Sequence, residues 1–313
     1  MQLPSPSFSE LIDLPTAYYA MPDDAKLRYA VLEPEGTPRG TVLVAQGRRE
    51  FIEKKYVEVG CELYERGYRV ILFDWRGMGL SSRVLSDDRW QRDHLTDFEM
   101  LIDDLRAFHR DIVKPRQSGP LIVFAHSLGA LVTTRWLGDN APDVAGVVMT
   151  APALAIGVPF FSYAVSRLMI RLKRSENYAV GQHDYGGLDR TYKGNVLSHD
   201  QVRYGIIEKY FDAKPDYRVG GVTWGWLAAV LRAIKRLHDP GYLENIKTPV
   251  LALCCGQDIV TPPTKSIPLL RRLPHCDIVT VQGARHDLMN EAEHYRQDAW
   301  RHIDGFLSRA STR

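Results

Sequence analysis

A chain of 313 residues with 45% apolar and 25% charged residues can form one large globular domain, or a core domain that carries an insertion. Its net charge of +2 gives no support for nucleic-acid binding. The four cysteines, Cys61, Cys254, Cys255 and Cys276, form no CxxC pair, so we expect them to be reduced and mostly buried. No signal-peptide pattern opens the sequence, and its most apolar stretch, 146–161, is shorter than the roughly 20 residues that span a bilayer. These features predict a cytoplasmic protein.

Predicted strands and helices alternate along most of the chain. Apolar residues at helical spacing predict helices within 52–63 and 98–112. Several of the apolar runs are almost continuous, which is typical of strands that are buried on both faces of a parallel sheet. The sequence therefore predicts the α/β fold class, with a mostly parallel central sheet and helices on both faces. The predicted strands are 41–44, 68–73, 121–124, 144–149, 250–253 and 277–281.

The alternation is interrupted between residues 155 and 240. This stretch contains two amphipathic helical patterns, at 161–172 and 227–237, and no clear strand. It also holds 13 lysines and arginines against 8 acidic residues, so it is more basic than the rest of the chain. We interpret 155–240 as a helical cap insertion over the strand ends, and 1–154 together with 241–313 as the α/β core.

A serine follows the third predicted strand at a tight strand-to-helix connection. The pentapeptide 125–129 reads AHSLG, and helical periodicity begins directly after it. A nucleophilic serine in this context needs small neighbours, because the turn is strained and the helix passes close to the strand. The usual pattern is GxSxG, in which Ala125 here replaces the first glycine. We predict that Ser127 is a nucleophile; the alternative is that it only caps the helix.

A serine hydroxyl needs a base, and the base needs an acid that orients it. Asp258 follows the fifth predicted strand and His286 follows the sixth, so both are expected at the carboxyl edge of the sheet, where open α/β sheets place their sites. Asp287 lies at a predicted helix start, where an acid more often interacts with the helix dipole. His126 adjoins Ser127, so its side chain should point away. We therefore predict a Ser127–His286–Asp258 triad.

Two backbone N–H groups are predicted to stabilise the oxyanion of the reaction intermediate. One is that of Leu128, directly after the serine. The other is that of Arg48, in the loop 46–50, which Gly47 allows to approach closely. The glycine-rich loop 74–81 lacks the GxxxxGK[ST] pattern of a phosphate-binding loop, so we interpret it as a structural turn.

With these residues placed, the chain resembles the lysophospholipase L2 and monoacylglycerol lipase group of α/β-hydrolases from about Thr41 to Phe306. Many relatives begin the oxyanion loop with His-Gly, whereas this chain has Gln46-Gly47. The resemblance implies the α/β-hydrolase fold, hydrolysis of an ester between one acyl chain and a glycerol-type head, and no cofactor or metal ion. The segments that carry it are 47–50, 74–81, 125–129, 195–200, 220–224, 256–258 and 285–287.

The sequence and the resemblance together predict a serine carboxylester hydrolase that acts on a small lipid ester, either a lysophospholipid or a monoacylglycerol. Phe161, Val165, Leu168 and Trp224 of the cap are the candidate contacts for the acyl chain. The basic surplus of the cap predicts either a phosphate head group as ligand or peripheral contact with an anionic membrane at its inner face; the alternative is that these charges are only solvated.

Three other functions would each require a different sequence feature. A peptidase or amidase on the same fold would be favoured by an acidic pocket for a substrate amine. A dehalogenase would need an aspartate in place of Ser127. A binding module without activity would be favoured by loss of the triad, which is complete in this sequence.

Overall fold

The computed structural model describes residues 3–159, 161–186 and 192–311. Eight strands form one sheet in the order β1-β2-β4-β3-β5-β6-β7-β8. The six strands from β4 to β8 in this order run parallel, and β1 and β2 pair antiparallel at one edge. The strands are β1 Ala17–Ala20, β2 Lys26–Leu32, β3 Thr41–Ala45, β4 Arg69–Phe73, β5 Leu121–His126, β6 Gly146–Thr150, β7 Val250–Cys255 and β8 Cys276–Val281.

Burial explains why the continuous apolar runs form the centre of the sheet. Every residue of β3, β5, β6 and β7 is buried. Alternate side chains enter opposite layers of the core, so that Leu43 packs on one face while Val42 and Val44 pack on the other. Full burial of such a side chain contributes roughly 1.5–3 kcal/mol. The predicted α/β fold is confirmed, with a mostly parallel sheet covered on both faces.

Helices cover both faces of the sheet, and four of the described α-helices lie between β6 and β7. A π-helical turn at Tyr56–Gly60 joins α1 to α2, and a second at His109–Val113 joins α3 to α4. No helix of the described residues has the length and apolar character that a membrane-spanning segment requires. The helices are α1 Ile52–Lys55, α2 Cys61–Glu65, α3 Glu99–Phe108, α4 Lys114–Arg116, α5 Leu128–Asn140, α6 Ser162–Arg171, α7 Gln201–Tyr204, α8 Ile206–Ala213, α9 Trp224–Arg236, α10 Pro263–Leu270 and α11 Glu293–Ala310.

We refer to residues 155–240 as the cap. Its two predicted amphipathic patterns correspond to α6 and α9, which pack against each other. The shorter α7 and α8 were not predicted, because neither is long enough to show two full apolar repeats. Tyr210 and Phe211 of α8 pack around Phe51, which directly precedes α1, so this part of the cap shares an aromatic cluster with the core.

Candidate active site

Ser127 lies at a sharp turn between β5 and α5. Its backbone has φ of 49°, in the left-handed region that residues with a side chain rarely adopt. A Cβ atom at position 129 would lie 2.0 Å from the carbonyl oxygen of Ala45 on the neighbouring β3. The first turn of α5 therefore requires glycine at this position, and the serine is held at the carboxyl edge of the sheet.

We expect Gly129→Ala to destabilise the fold by about 3 kcal/mol, because the added methyl group meets backbone atoms of a buried strand. Gly205→Ala is the matched control: its φ is −71° and its added Cβ would find no atom closer than 3.4 Å. Urea unfolding of the two variants measures the difference. Equal free energies of unfolding would show that the close approach at Gly129 does not constrain the turn.

The structure brings the three predicted triad residues together. The Nδ1 atom of His286 lies 2.7 Å from Oδ2 of Asp258, and because a carboxylate only accepts, the imidazole N–H donates to it. The Ser127 hydroxyl then donates to Nε2 of His286 over 2.9 Å. All three residues are buried. The hydroxyl, the imidazole and the carboxylate thus form one continuous hydrogen-bonded chain.

Asp258 is held in its ionised form. Burial opposes ionisation, but hydrogen bonds from the His286 ring and from Thr261 outweigh burial, so the pKa of Asp258 lies below its ordinary value. One carboxylate oxygen accepts from the backbone N–H groups of Val260 and Thr261 at 2.8 and 2.9 Å, and the other accepts from the Thr261 hydroxyl at 2.6 Å. These bonds fix the carboxylate where it can orient the imidazole.

The two competing side chains, Asp287 and His126, are engaged elsewhere. Asp287 Oδ2 lies 2.7 Å from the ammonium group of Lys54. The His126 ring contacts Thr150 through Nδ1, and burial lowers its pKa to about 4, so the ring is neutral at pH 7. Glu50, His126 and Asp287 lie close enough together to share a metal ion. They fit a metal poorly, because the ammonium group of Lys54 already contacts both carboxylates at 2.7–2.8 Å.

The loop 46–50 carries the backbone N–H of Arg48, which the sequence predicts as an oxyanion donor. The Gly47 N–H donates to the Glu50 carboxylate and is therefore already occupied. A Cβ at Gly47 would lie 2.7 Å from the His126 ring. The Arg48 side chain is not merely solvated: its Nε lies 2.7 Å from Asp93, and it also bonds to a carbonyl of the cap. Glu50, whose carboxylate accepts from the Gly47 N–H and pairs with Lys54, was not predicted as a site residue.

Asp74 has a larger role than the structural turn that the sequence predicts. This buried carboxylate accepts from the Gln46 side chain at 3.1 Å and from the Ile52 N–H at 2.9 Å, so it bonds to residues at both sides of the segment 47–51. Burial raises the pKa of Asp74 to about 6, against the opposing effect of the Arg28 guanidinium. The Gln46 amide also donates to the Phe73 carbonyl at 2.6 Å, which fixes this side chain.

A cavity of about 620 Å³ opens above Ser127. Its apolar wall includes Leu128, Ile156, Trp226 and Val230. Trp226 and Val230 are four residues apart on α9, and the predicted helical pattern at 227–237 included only Val230. The polar side of the cavity is formed by Arg48, Arg49, Lys193, Asn195 and Glu208, among others.

The predicted acyl-chain contacts lie outside this lining. Phe161 and Leu168 are each 53% exposed on the outer surface of α6. Val165 faces inward and packs on the core. Trp224 is buried at the start of α9, where its backbone N–H donates to the Asn177 carbonyl at 3.0 Å. The structure therefore does not bring these four side chains together with Ser127.

A mostly parallel eight-stranded sheet with a serine at the strained turn after its central strand defines the α/β-hydrolase class. The chain belongs to the serine aminopeptidase S33 family, whose model matches residues 36–293. It is 27% identical to the probable lysophospholipase L2 of Haemophilus influenzae over 94% of this chain and 92% of that protein. It is 29% identical to the phospholipase YtpA of Bacillus subtilis over 77% of this chain and 84% of that protein.

Solved structures show the same fold. A soluble variant of monoglyceride lipase from Saccharomyces cerevisiae, in complex with a substrate analogue, superposes with a TM-score of 0.76 at 18% identity and covers 98% of this chain and 99% of its own. The monoacylglycerol lipase of Paleococcus ferrophilus has a TM-score of 0.69 at 22% identity, with 90% of this chain and 99% of its own covered. The predicted membership of the α/β-hydrolases is confirmed.

Proposed function

We propose that this protein is a serine carboxylester hydrolase that acts on glycerolipids with a single acyl chain. The observation that carries the proposal is the bonded chain from Ser127 through His286 to Asp258 at the base of a cavity with one apolar wall. The names of the relatives, which include lysophospholipases and monoacylglycerol lipases, support a lipid ester as the substrate.

In this mechanism the Ser127 oxygen attacks the ester carbonyl while His286 takes the hydroxyl proton. Asp258 stabilises the imidazolium that forms, and the backbone N–H groups of Arg48 and Leu128 bind the oxyanion. The imidazolium then gives its proton to the departing glycerol oxygen, leaving an acyl-enzyme. Water, activated by the same imidazole, releases the fatty acid and restores Ser127.

The cavity favours an acyl ester over a peptide. An aminopeptidase substrate brings a cationic amine, which needs an ionised carboxylate near the nucleophile. Of the three carboxylates that line the cavity, Glu50 and Asp287 are already paired with the ammonium group of Lys54. The third, Glu208, shares the lining with the cationic side chains of Arg48, Arg49 and Lys193. The apolar wall of Leu128, Ile156 and Trp226 instead offers a surface for a hydrocarbon chain.

Purified enzyme assayed on lysophosphatidylcholine, monoacylglycerol, short p-nitrophenyl esters and aminoacyl p-nitroanilides tests this choice. We expect hydrolysis of the esters and no comparable hydrolysis of the anilides. Anilide hydrolysis with kcat/KM equal to or above that of the esters would favour a peptidase, and inactivity on every substrate would favour a binding module.

We further propose that α6 contacts an anionic membrane surface. Phe161, Leu168 and Leu172 are each more than half exposed along α6 and its C-terminal end. The basic residues of the same segment, which form no ion pair within the described parts of the chain, are Arg167, Arg171, Lys173 and Arg174. An exposed apolar face flanked by uncompensated positive charge fits the interface of a bilayer that contains acidic lipids.

Neutralising these four basic residues with glutamine should weaken binding to vesicles that contain phosphatidylglycerol. Wild-type binding should also fall with salt, since exposed charges are screened within about 10 Å at 0.1 M. The control is a variant with glutamine at four exposed lysines elsewhere, which has the same net charge; these are Lys114, Lys235, Lys247 and Lys265. Vesicle co-sedimentation measures the binding of the wild type and of the two variants. Equal binding by the two variants would contradict docking through α6.

The apolar part of this surface is tested by enzyme kinetics. Phe161→Ser with Leu168→Ser should raise KM for long-chain substrates in vesicles far more than for short soluble esters. Val180→Ser, at a cap position that is 86% exposed outside α6, is the control. Equal losses on long and short esters would mean that Phe161 and Leu168 only support the fold.

A further inference from the structure

One segment of the cap is bonded directly to the loop that carries His286. We call residues 195–203 the cap segment and residues 285–291 the base loop. The Asp287 N–H donates to the Leu197 carbonyl at 2.9 Å. The Ser198 hydroxyl donates to the carbonyl of Asn290 at 2.6 Å. The cap segment is thus held at Leu197 and Ser198 against the residues that follow the candidate base.

Glu291 is the centre of this contact, and its side chain is fully buried. One carboxylate oxygen accepts from the backbone N–H of Arg285 at 2.8 Å and from Nδ1 of His199 at 2.9 Å. The other accepts from the backbone N–H groups of His199 and Ala292 at 2.8 and 3.0 Å. A single carboxylate therefore joins the cap segment to the residue that directly precedes His286.

The four donors around Glu291 require an acceptor with two charged oxygens. A buried donor left without a partner costs about 1–3 kcal/mol, so replacing one oxygen by an N–H donor should shift the loop from this conformation. The position of the His286 ring matters because a catalytic group displaced by about 1 Å can cost 100-fold in rate. Arg285 directly precedes His286 in the chain, so a shift of the Arg285 N–H also moves the backbone that carries the imidazole.

We propose that Glu291 is a positioning residue for His286 and that it acts by fastening the base loop to the cap segment. The proposal rests on the function proposed above, in which His286 is the general base. Neither Glu291 nor His199 is among the residues that line the cavity, so substrate binding should not depend on them directly. The cap is in this view a structural part of the catalytic machinery as well as a cover for the cavity.

The test compares Glu291→Gln, His199→Ala and their combination on a short soluble p-nitrophenyl ester. Glutamine presents an N–H group to two of the four donors, so we expect kcat to fall about 10- to 100-fold with KM unchanged. Because the two residues act through the same bonds, the double variant should lose no more than the worse single variant. Glu293→Gln is the matched control: its exposed carboxylate lies 2.7 Å from Arg203 and makes no bond to the base loop.

Thermal unfolding and the near-ultraviolet circular dichroism spectrum of each variant establish that it is folded. Should Glu291→Gln not fold, His199→Ala alone decides, since it removes one of the four donors and leaves the carboxylate in place. A folded variant with wild-type kcat, a loss confined to KM, or an equal loss in Glu293→Gln would overturn the proposal. If the wild-type protein itself hydrolyses no ester, the proposed function fails instead, so the two failures are distinguishable.

Discussion

Replacing Ser127 with alanine is expected to lower kcat for ester hydrolysis by about 10⁶, because members of a catalytic triad act as a unit. The change removes one oxygen atom from a buried turn, so the fold should persist. Burst kinetics with a p-nitrophenyl ester measure the loss, and a fluorophosphonate probe should label the wild type alone. Retention of more than a tenth of the activity would rule out Ser127 as the nucleophile.

The second large effect is expected for Asp258→Asn, which should lower kcat by about 10⁴. The amide donates a hydrogen bond to Nδ1 of His286, so the ring takes the tautomer that cannot accept the Ser127 proton. The 2.7 Å contact between His286 and Asp258 is what makes this substitution informative. Steady-state kinetics at pH 7 on a short ester measure the loss.

Asp287→Asn is the control for this variant, because Asp287 is the neighbouring carboxylate that does not contact the base. Its partner is the buried ammonium group of Lys54, and removing one member of a buried ion pair costs about 3–5 kcal/mol of stability. We therefore expect Asp287→Asn to lower the free energy of unfolding and to reduce kcat much less than Asp258→Asn. The reverse pattern would assign the role of the acid to Asp287.

The fold could be predicted because the sequences of its central strands differ clearly from those of helices and loops. A strand buried on both faces needs apolar residues throughout, and β3, β5, β6 and β7 show this in a continuous run. The two antiparallel strands at one side of the sheet, β1 and β2, were not predicted. Three of the four residues of β1 are exposed, and β2 begins with Lys26 and includes a buried arginine, Arg28. Neither strand therefore shows the continuous apolar run of the central strands.

The candidate triad could be predicted because chain order and strand ends place its members at one edge of the sheet. Glu50, Asp74 and Glu291 could not be predicted in the same way. Their roles depend on buried hydrogen bonds to backbone N–H groups of other segments, and no sequence pattern records which N–H group a carboxylate will meet. The outward orientation of Phe161 and Leu168 was missed for a related reason: an apolar stripe indicates a face but not what covers it.

The cap contains two parts that should tolerate substitution to different degrees. Among its described residues, those of α6 make no hydrogen bond to the loops that carry Ser127, Asp258 and His286, and α6 contacts the rest of the protein mainly through α9. The cap segment 195–203 is fastened to the base loop by at least four bonds. For a protein engineer, α6 is the place to graft a new surface or to alter solubility. Exchange of the whole cap between related enzymes would have to preserve the partners of Glu291 for turnover to survive.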